Sequence, residues 1–167
     1  MYITTSSADP EMPVPRSPKA ESGPKLSNFL CFAVYSANLA FNRVYKPLLD
    51  ELGLTYPQYL VLVLLYEADD QTVGGLGDKL HLDSSTLTPL LKRMEGSGYI
   101  SRQRDPADER QVRVRLTPRG RTAREKVAAS RGSLLKATGL TPPRFRQLRE
   151  DLVTLRDNLN KAAQAAP

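Results

Sequence analysis

A single cysteine, a single histidine and no tryptophan occur in this chain of 167 residues. One cysteine, Cys31, excludes an intrachain disulfide, and with His81 as the sole imidazole the chain lacks the soft ligands of a conventional zinc site. Catalysis by a Cys–His pair would have to use that same histidine, so the inventory favours no enzyme, no metal and no cofactor. Long apolar runs are also missing. The longest, Tyr59 to Tyr66, is far too short to span a bilayer, and the N-terminus has no basic stretch followed by an apolar one. The expectation is a soluble, cytoplasmic protein with no membrane partner.

What is present suits one compact domain, since the length is ordinary and 40% of the residues are hydrophobic. Pro10, Pro13, Pro15, Pro18 and Pro24 crowd the start among Ser, Gly and charged residues, which predicts a disordered tail over 1–25. A net charge of +6 leaves nucleic acid, an anionic membrane or an acidic partner open until the charge is located.

Apolar residues from Leu26 to Leu52 recur at helical spacing, which predicts a long first helix broken near Pro47. Pro57 to Ala68 opens on a first-turn proline and is apolar on nearly every side, the pattern of a buried central helix. Thr72 can cap a short helix reaching Leu80, although Gly74, Gly75 and Gly77 each weaken it by about 1 kcal/mol relative to alanine. After His81-Leu82-Asp83, a second helix starts with Asp83 as its cap and ends near Gly96 or Gly98. Two short helices with a tight connection make a helix-turn-helix candidate. Tyr99 to Arg104 and Gln111 to Leu116 then alternate apolar and charged residues around DPADER, a β-hairpin with a charged tip. Thr117-Pro118 and Thr141-Pro142 restart helices of about 118–137 and 142–164.

In the second helix of the pair, Leu87, Leu90, Leu91 and Met94 tie one face to the core. The other face carries Ser84, Ser85, Thr86, Thr88 and Pro89, with Lys92 and Arg93 further on. Small hydroxyl residues at a helix N-terminus let the backbone approach bases and phosphates, so this face suits a DNA-reading helix. An ordinary amphipathic surface helix would show the same apolar row. The next segment decides: Arg102, Arg104, Arg110, Arg113, Arg115, Arg119, Arg121 and Arg124 face only Asp105, Asp108 and Glu109, a local charge of +5. A hairpin with Arg110 at its tip can enter a narrow minor groove while Arg102 and Arg104 hold phosphates.

Asp108-x-Arg110 followed by Leu116-Thr117, after a helix-turn-helix, resembles the wing signature of the MarR family, over about residues 26–160. The resemblance implies an α+β, mainly helical fold: a winged helix-turn-helix over about 57–117, with dimerisation helices over about 26–52 and 118–164. It also implies a homodimer on a pseudo-palindromic double-stranded DNA operator. Arg110 would enter the minor groove, Ser84 to Arg93 the major groove, and Asp108 would brace the wing.

Cys31 lies among apolar residues, and composition alone makes it a buried, inert thiol. On a helix, Tyr35 is one turn away on the same face, and Tyr45, fourteen residues on, returns to within about 40°. Phenol hydroxyls donating to a thiolate would lower its pKa. This segment, together with TYPQYL and LDSSTLTPLLKRME, is similar to the organic hydroperoxide resistance regulators, a MarR branch. That resemblance implies a transcriptional repressor with Cys31 as peroxide sensor, hydrogen-bonded by partner-subunit tyrosines matching Tyr45 and Tyr56. With no resolving cysteine the chain resembles the one-cysteine type, so a small-molecule thiol would cap the oxidised sulfur or overoxidation would follow. A regulator released by an aromatic anion, with Cys31 incidental, and a thiol peroxidase are the alternatives.

Overall fold

The structure, a computed structural model, describes residues 23–165. These residues fall into two compact units, divided between Ser36 and Ala37. The expected disordered tail lies outside the described residues except for its last three positions. In the first unit a 3₁₀ turn, Leu26–Asn28, precedes the start of helix α1, Leu30–Leu52. The helix thus begins four residues later than periodicity predicts, because Phe29 is extended at φ −86° and ψ 118°.

The expected break at Pro47 is absent, and α1 runs through it. Proline removes one helical N–H and frees the carbonyl of Arg43, but Pro47 is exposed, so water can take that carbonyl. Tyr45, Leu49 and Leu52 flank it on the buried face, and Lys46 bridges to Asp50 at 2.8 Å across it. Packing on either side therefore outweighs the missing hydrogen bond.

Helix α2, Tyr56–Glu67, starts where Gln58 Oε1 accepts the Thr55 N–H at 2.8 Å. Val61, Leu62 and Leu65 are all but inaccessible, as expected of a central helix. Helix α3, Val73–Leu80, is capped by Thr72, whose Oγ1 accepts the Gly75 N–H at 3.1 Å. Its glycines have a packing reason at Gly77, where a Cβ would lie 2.9 Å from the Leu82 carbonyl oxygen. His81 turns the chain in a left-handed conformation, φ 55°, and helix α4, Ser84–Gly96, follows.

Strands β2, Ile100–Arg104, and β3, Val112–Leu116, pair antiparallel with Arg102 opposite Val114. A third strand, β1, Gln71–Thr72, pairs with the other edge of β3 and gives the order β1-β3-β2. The predicted helix over 118–137 is two helices, α5, Pro118–Thr122, and α6, Arg124–Thr138. Buried Ala123 at ψ −10° tightens the chain between them. Helix α7, Pro142–Ala165, follows. The core joins α2, α3, α4 and the sheet through Leu62, Leu76, Leu91, Met94, Ile100 and Val114. The fold is α+β, mainly helical, a winged helix-turn-helix flanked by longer helices. No single helix among the described residues is long and apolar enough to cross a membrane.

Candidate nucleic-acid interface

Helix α4 buries Leu87, Leu90, Leu91 and Met94, which turns the opposite side outward. Ser84, Ser85, Thr86, Pro89, Lys92 and Arg93 are exposed and Thr88 is half-buried. Asp83 Oδ1 accepts the Thr86 N–H at 2.8 Å and the Ser85 hydroxyl at 2.6 Å, so the cap fixes the Ser85 side chain. Those hydrogen bonds, the Ser85 hydroxyl first, hold the Asp83 carboxyl below its ordinary pKa. Pro89 supplies no N–H to the Ser85 carbonyl, and that loss falls on the exposed face.

At the hairpin tip Arg110 is 90% exposed. Its Nε and backbone N–H donate to Asp108 Oδ1 at 3.0 and 3.1 Å, and Gln111 Nε2 donates to Oδ2 at 3.1 Å. Asp108 thus closes the tip and aims the guanidinium. A groove of about 390 Å³ runs between α4 and the wing, lined by Ser84, Thr88, Arg102 and Arg110 among others. The structure therefore brings the N-terminal face of α4 and the wing tip to one surface.

The arginine cluster is less free than its count suggests. Arg102 forks onto Glu95, and Arg113 donates to Asp70 at 2.7 Å and to Asp105 at 3.1 Å. Arg115 donates to Asp70 at 2.9 Å, Arg121 to Asp69 at 2.9 Å, and Arg119 lies 4.7 Å above the Tyr99 ring. Arg104, at the end of β2, is exposed. Asp69, Asp70 and Glu95 are not legible in a charge count over the hairpin, because Asp69 and Asp70 come from the turn before β1 and Glu95 from α4. Asp70 occupies left-handed space, φ 59°, which aspartate tolerates better than most residues. Hydrogen bonds from Arg115 and then Arg113 pull its pKa down to about 2.

Cys31 is exposed in the single chain, not buried as composition favours, and Tyr35 is 58% exposed. In the second unit, Tyr45 packs on Tyr56 and Tyr59 with ring centroids 5.1 and 5.3 Å apart. Burial, with Tyr59 beside it, raises the Tyr56 phenol pKa, which keeps it a proton donor. Tyr45 and Tyr56 help line an apolar cavity of about 420 Å³ with Phe41, Leu152, Arg149 and Arg156.

The transcriptional regulator SarA/Rot family model matches residues 43–127. The HTH-type transcriptional regulator TtmR of Methylorubrum extorquens (strain PA1) is 47% identical over 138 residues, 83% of this chain and 71% of the relative. The organic hydroperoxide resistance transcriptional regulator of Bacillus subtilis (strain 168) is 44% identical over 137 residues, covering 82% and 93%. Among solved structures, overoxidized AbfR bound to DNA, from Staphylococcus epidermidis, superposes with TM-score 0.68 at 37% identity, covering 80% of this chain and 94% of that one. The outward face of α4 and a wing tip sharing one groove, the lone cysteine near the start of α1, and these relatives together place the chain in the MarR family of winged-helix, DNA-binding transcriptional regulators, in the branch of the organic hydroperoxide resistance regulators.

Proposed function

We propose that the chain is a repressor which, as a homodimer, holds a pseudo-palindromic operator and releases it when an organic hydroperoxide oxidises Cys31. The observation that carries this reading is an accessible thiol in an apolar setting: Cys31 stands exposed among Leu26, Phe29, Leu30 and Phe32. Such a surface favours an alkyl hydroperoxide over hydrogen peroxide. The thiolate attacks the terminal peroxide oxygen and the O–O bond breaks; the leaving alkoxide takes up the equivalent of the proton lost when the thiol ionised, so that the products are Cys31 sulfenic acid and an alcohol. A small-molecule thiol then condenses with the sulfenic acid, releasing water and leaving a mixed disulfide. The phenols of Tyr45 and Tyr56 on the partner subunit hydrogen-bond to the reduced sulfur, and Tyr35 lies beside it on its own helix. In the reduced state Ser84 to Arg93 read the major groove and Arg110 enters the minor groove, with Arg104 on phosphate. AbfR has been seen on DNA in an overoxidized form, so release is assigned to the bulkier mixed disulfide.

Titration of wild type and Cys31→Ser onto a duplex selected by the wild-type protein from a randomised pool tests this reading. With cumene hydroperoxide and glutathione present, wild type should lose affinity on the order of tenfold or more, and Cys31→Ser should not respond. Equal responses would sink the sensor. The 420 Å³ cavity with Arg149 and Arg156 on its lining favours a second reading, in which an aromatic carboxylate there causes release. Release of Cys31→Ser from DNA by benzoate would support it.

A further inference from the structure

We infer that Glu95 is a positioning residue for DNA binding: through Arg102 it locks the wing to the reading helix, and Arg102 serves this lock rather than a phosphate. The inference rests on the DNA-binding reading above. Glu95 lies in the last turn of α4. Its Oε1 accepts the Arg102 backbone N–H at 3.0 Å, and its Oε2 accepts Arg102 Nε at 3.0 Å and NH2 at 2.7 Å. Both carboxylate oxygens are thus engaged by one residue of β2, from its backbone and its planar fork together. The Arg102 side chain is only 20% exposed, while Arg110, which belongs to the same hairpin, is 90% exposed. A fork-and-amide contact is directional as well as strong, so it fixes strand β2 in angle and distance against α4. The separation between the N-terminus of α4 and the tip of the wing is what a major-groove and a minor-groove contact must share. Glu95 sets that separation from the far end of the helix.

Electrostatics alone predicts the opposite effect for this side chain. A carboxylate near DNA repels phosphate, so a Glu95 without a positioning role should hinder binding, and its removal should help. Binding of Glu95→Gln, Arg102→Gln, Arg102→Lys and the Glu95→Gln/Arg102→Gln double variant to the wild-type-selected duplex, and to a mixed-sequence duplex, separates the two. Expected are losses on the order of tenfold for each single variant on the selected duplex and no further loss in the double variant. The slope of affinity against salt should be unchanged, and binding to the mixed duplex should be unchanged or tighter. Arg102→Lys keeps the charge but cannot fork, so it should fall with the others. The inference is overturned if Glu95→Gln binds the selected duplex as tightly as wild type or tighter. It is equally overturned if Arg102→Gln lowers the salt slope by about one while Arg102→Lys retains full affinity. Failure of wild type to select any duplex would instead count against the DNA-binding reading itself.

Discussion

Asp70 is the residue on which the wing leans most visibly. A left-handed backbone places its carboxylate where Arg113 and Arg115 converge, and Asp69 beside it accepts the Leu116 N–H at 2.9 Å. Because its folded pKa, about 2, is below the usual aspartate value, the contribution is complete above about pH 4 and is lost as pH falls toward 2. Asp70→Asn should therefore melt below wild type at pH 7, and the gap should close as the pH is lowered through that window. Constant separation of the two melting curves down to pH 2 would contradict the assignment. None of this was legible in the sequence, where the same arginines read as a bare cationic ribbon. Ion pairs between residues some forty positions apart have no periodicity to betray them, whereas Asp108 and Arg110, two residues apart, carried their own signature.

At the scale of elements, the helix starts were the most legible feature. Thr72, Asp83 and Thr117 each cap the helix expected of them, because a cap is a contact between near neighbours in the chain. Strand β1 and the division of α5 from α6 were not legible, since both arise from tertiary contact. Short α5 is pressed against the base of the wing: a Cβ on Gly120 would lie 2.1 Å from the Tyr99 carbonyl oxygen. The Gly120 carbonyl accepts the Tyr66 hydroxyl at 2.6 Å, and burial pushes that phenol up to about 12. Tyr99 in turn donates its hydroxyl to the Leu52 carbonyl at 2.5 Å, joining the end of α1 to the wing base. Gly120→Ala should destabilise the protein by about 1–3 kcal/mol, as overpacking does. A denaturant midpoint equal to wild type would show that α5 can move away at no cost.

At the scale of the whole molecule, one chain leaves rows of large apolar side chains uncovered among the described residues. The first unit exposes Leu26, Phe29, Leu30 and Phe32, and the second exposes Leu39, Phe41 and Val44 on α1 with Leu148, Leu152, Val153 and Leu159 on α7. Sequence periodicity shows that these helices have an apolar side, and the family resemblance, not the periodicity, supplies a second copy of the chain as the proposed cover. In the proposed homodimer the α1 and α7 rows of the second unit are covered by the partner's, so the melting temperature should rise with protein concentration. A melting temperature independent of dilution over two orders of magnitude would refute an obligate dimer. Helix α7 buries no residue of its own within a single chain, over 24 residues. In the proposed homodimer that helix finds its cover only where two chains meet, which would make supply of the protein itself a variable of the proposed switch: halving the number of copies in a cell would thin the population of competent dimers more than twofold when assembly is incomplete, before any peroxide arrives.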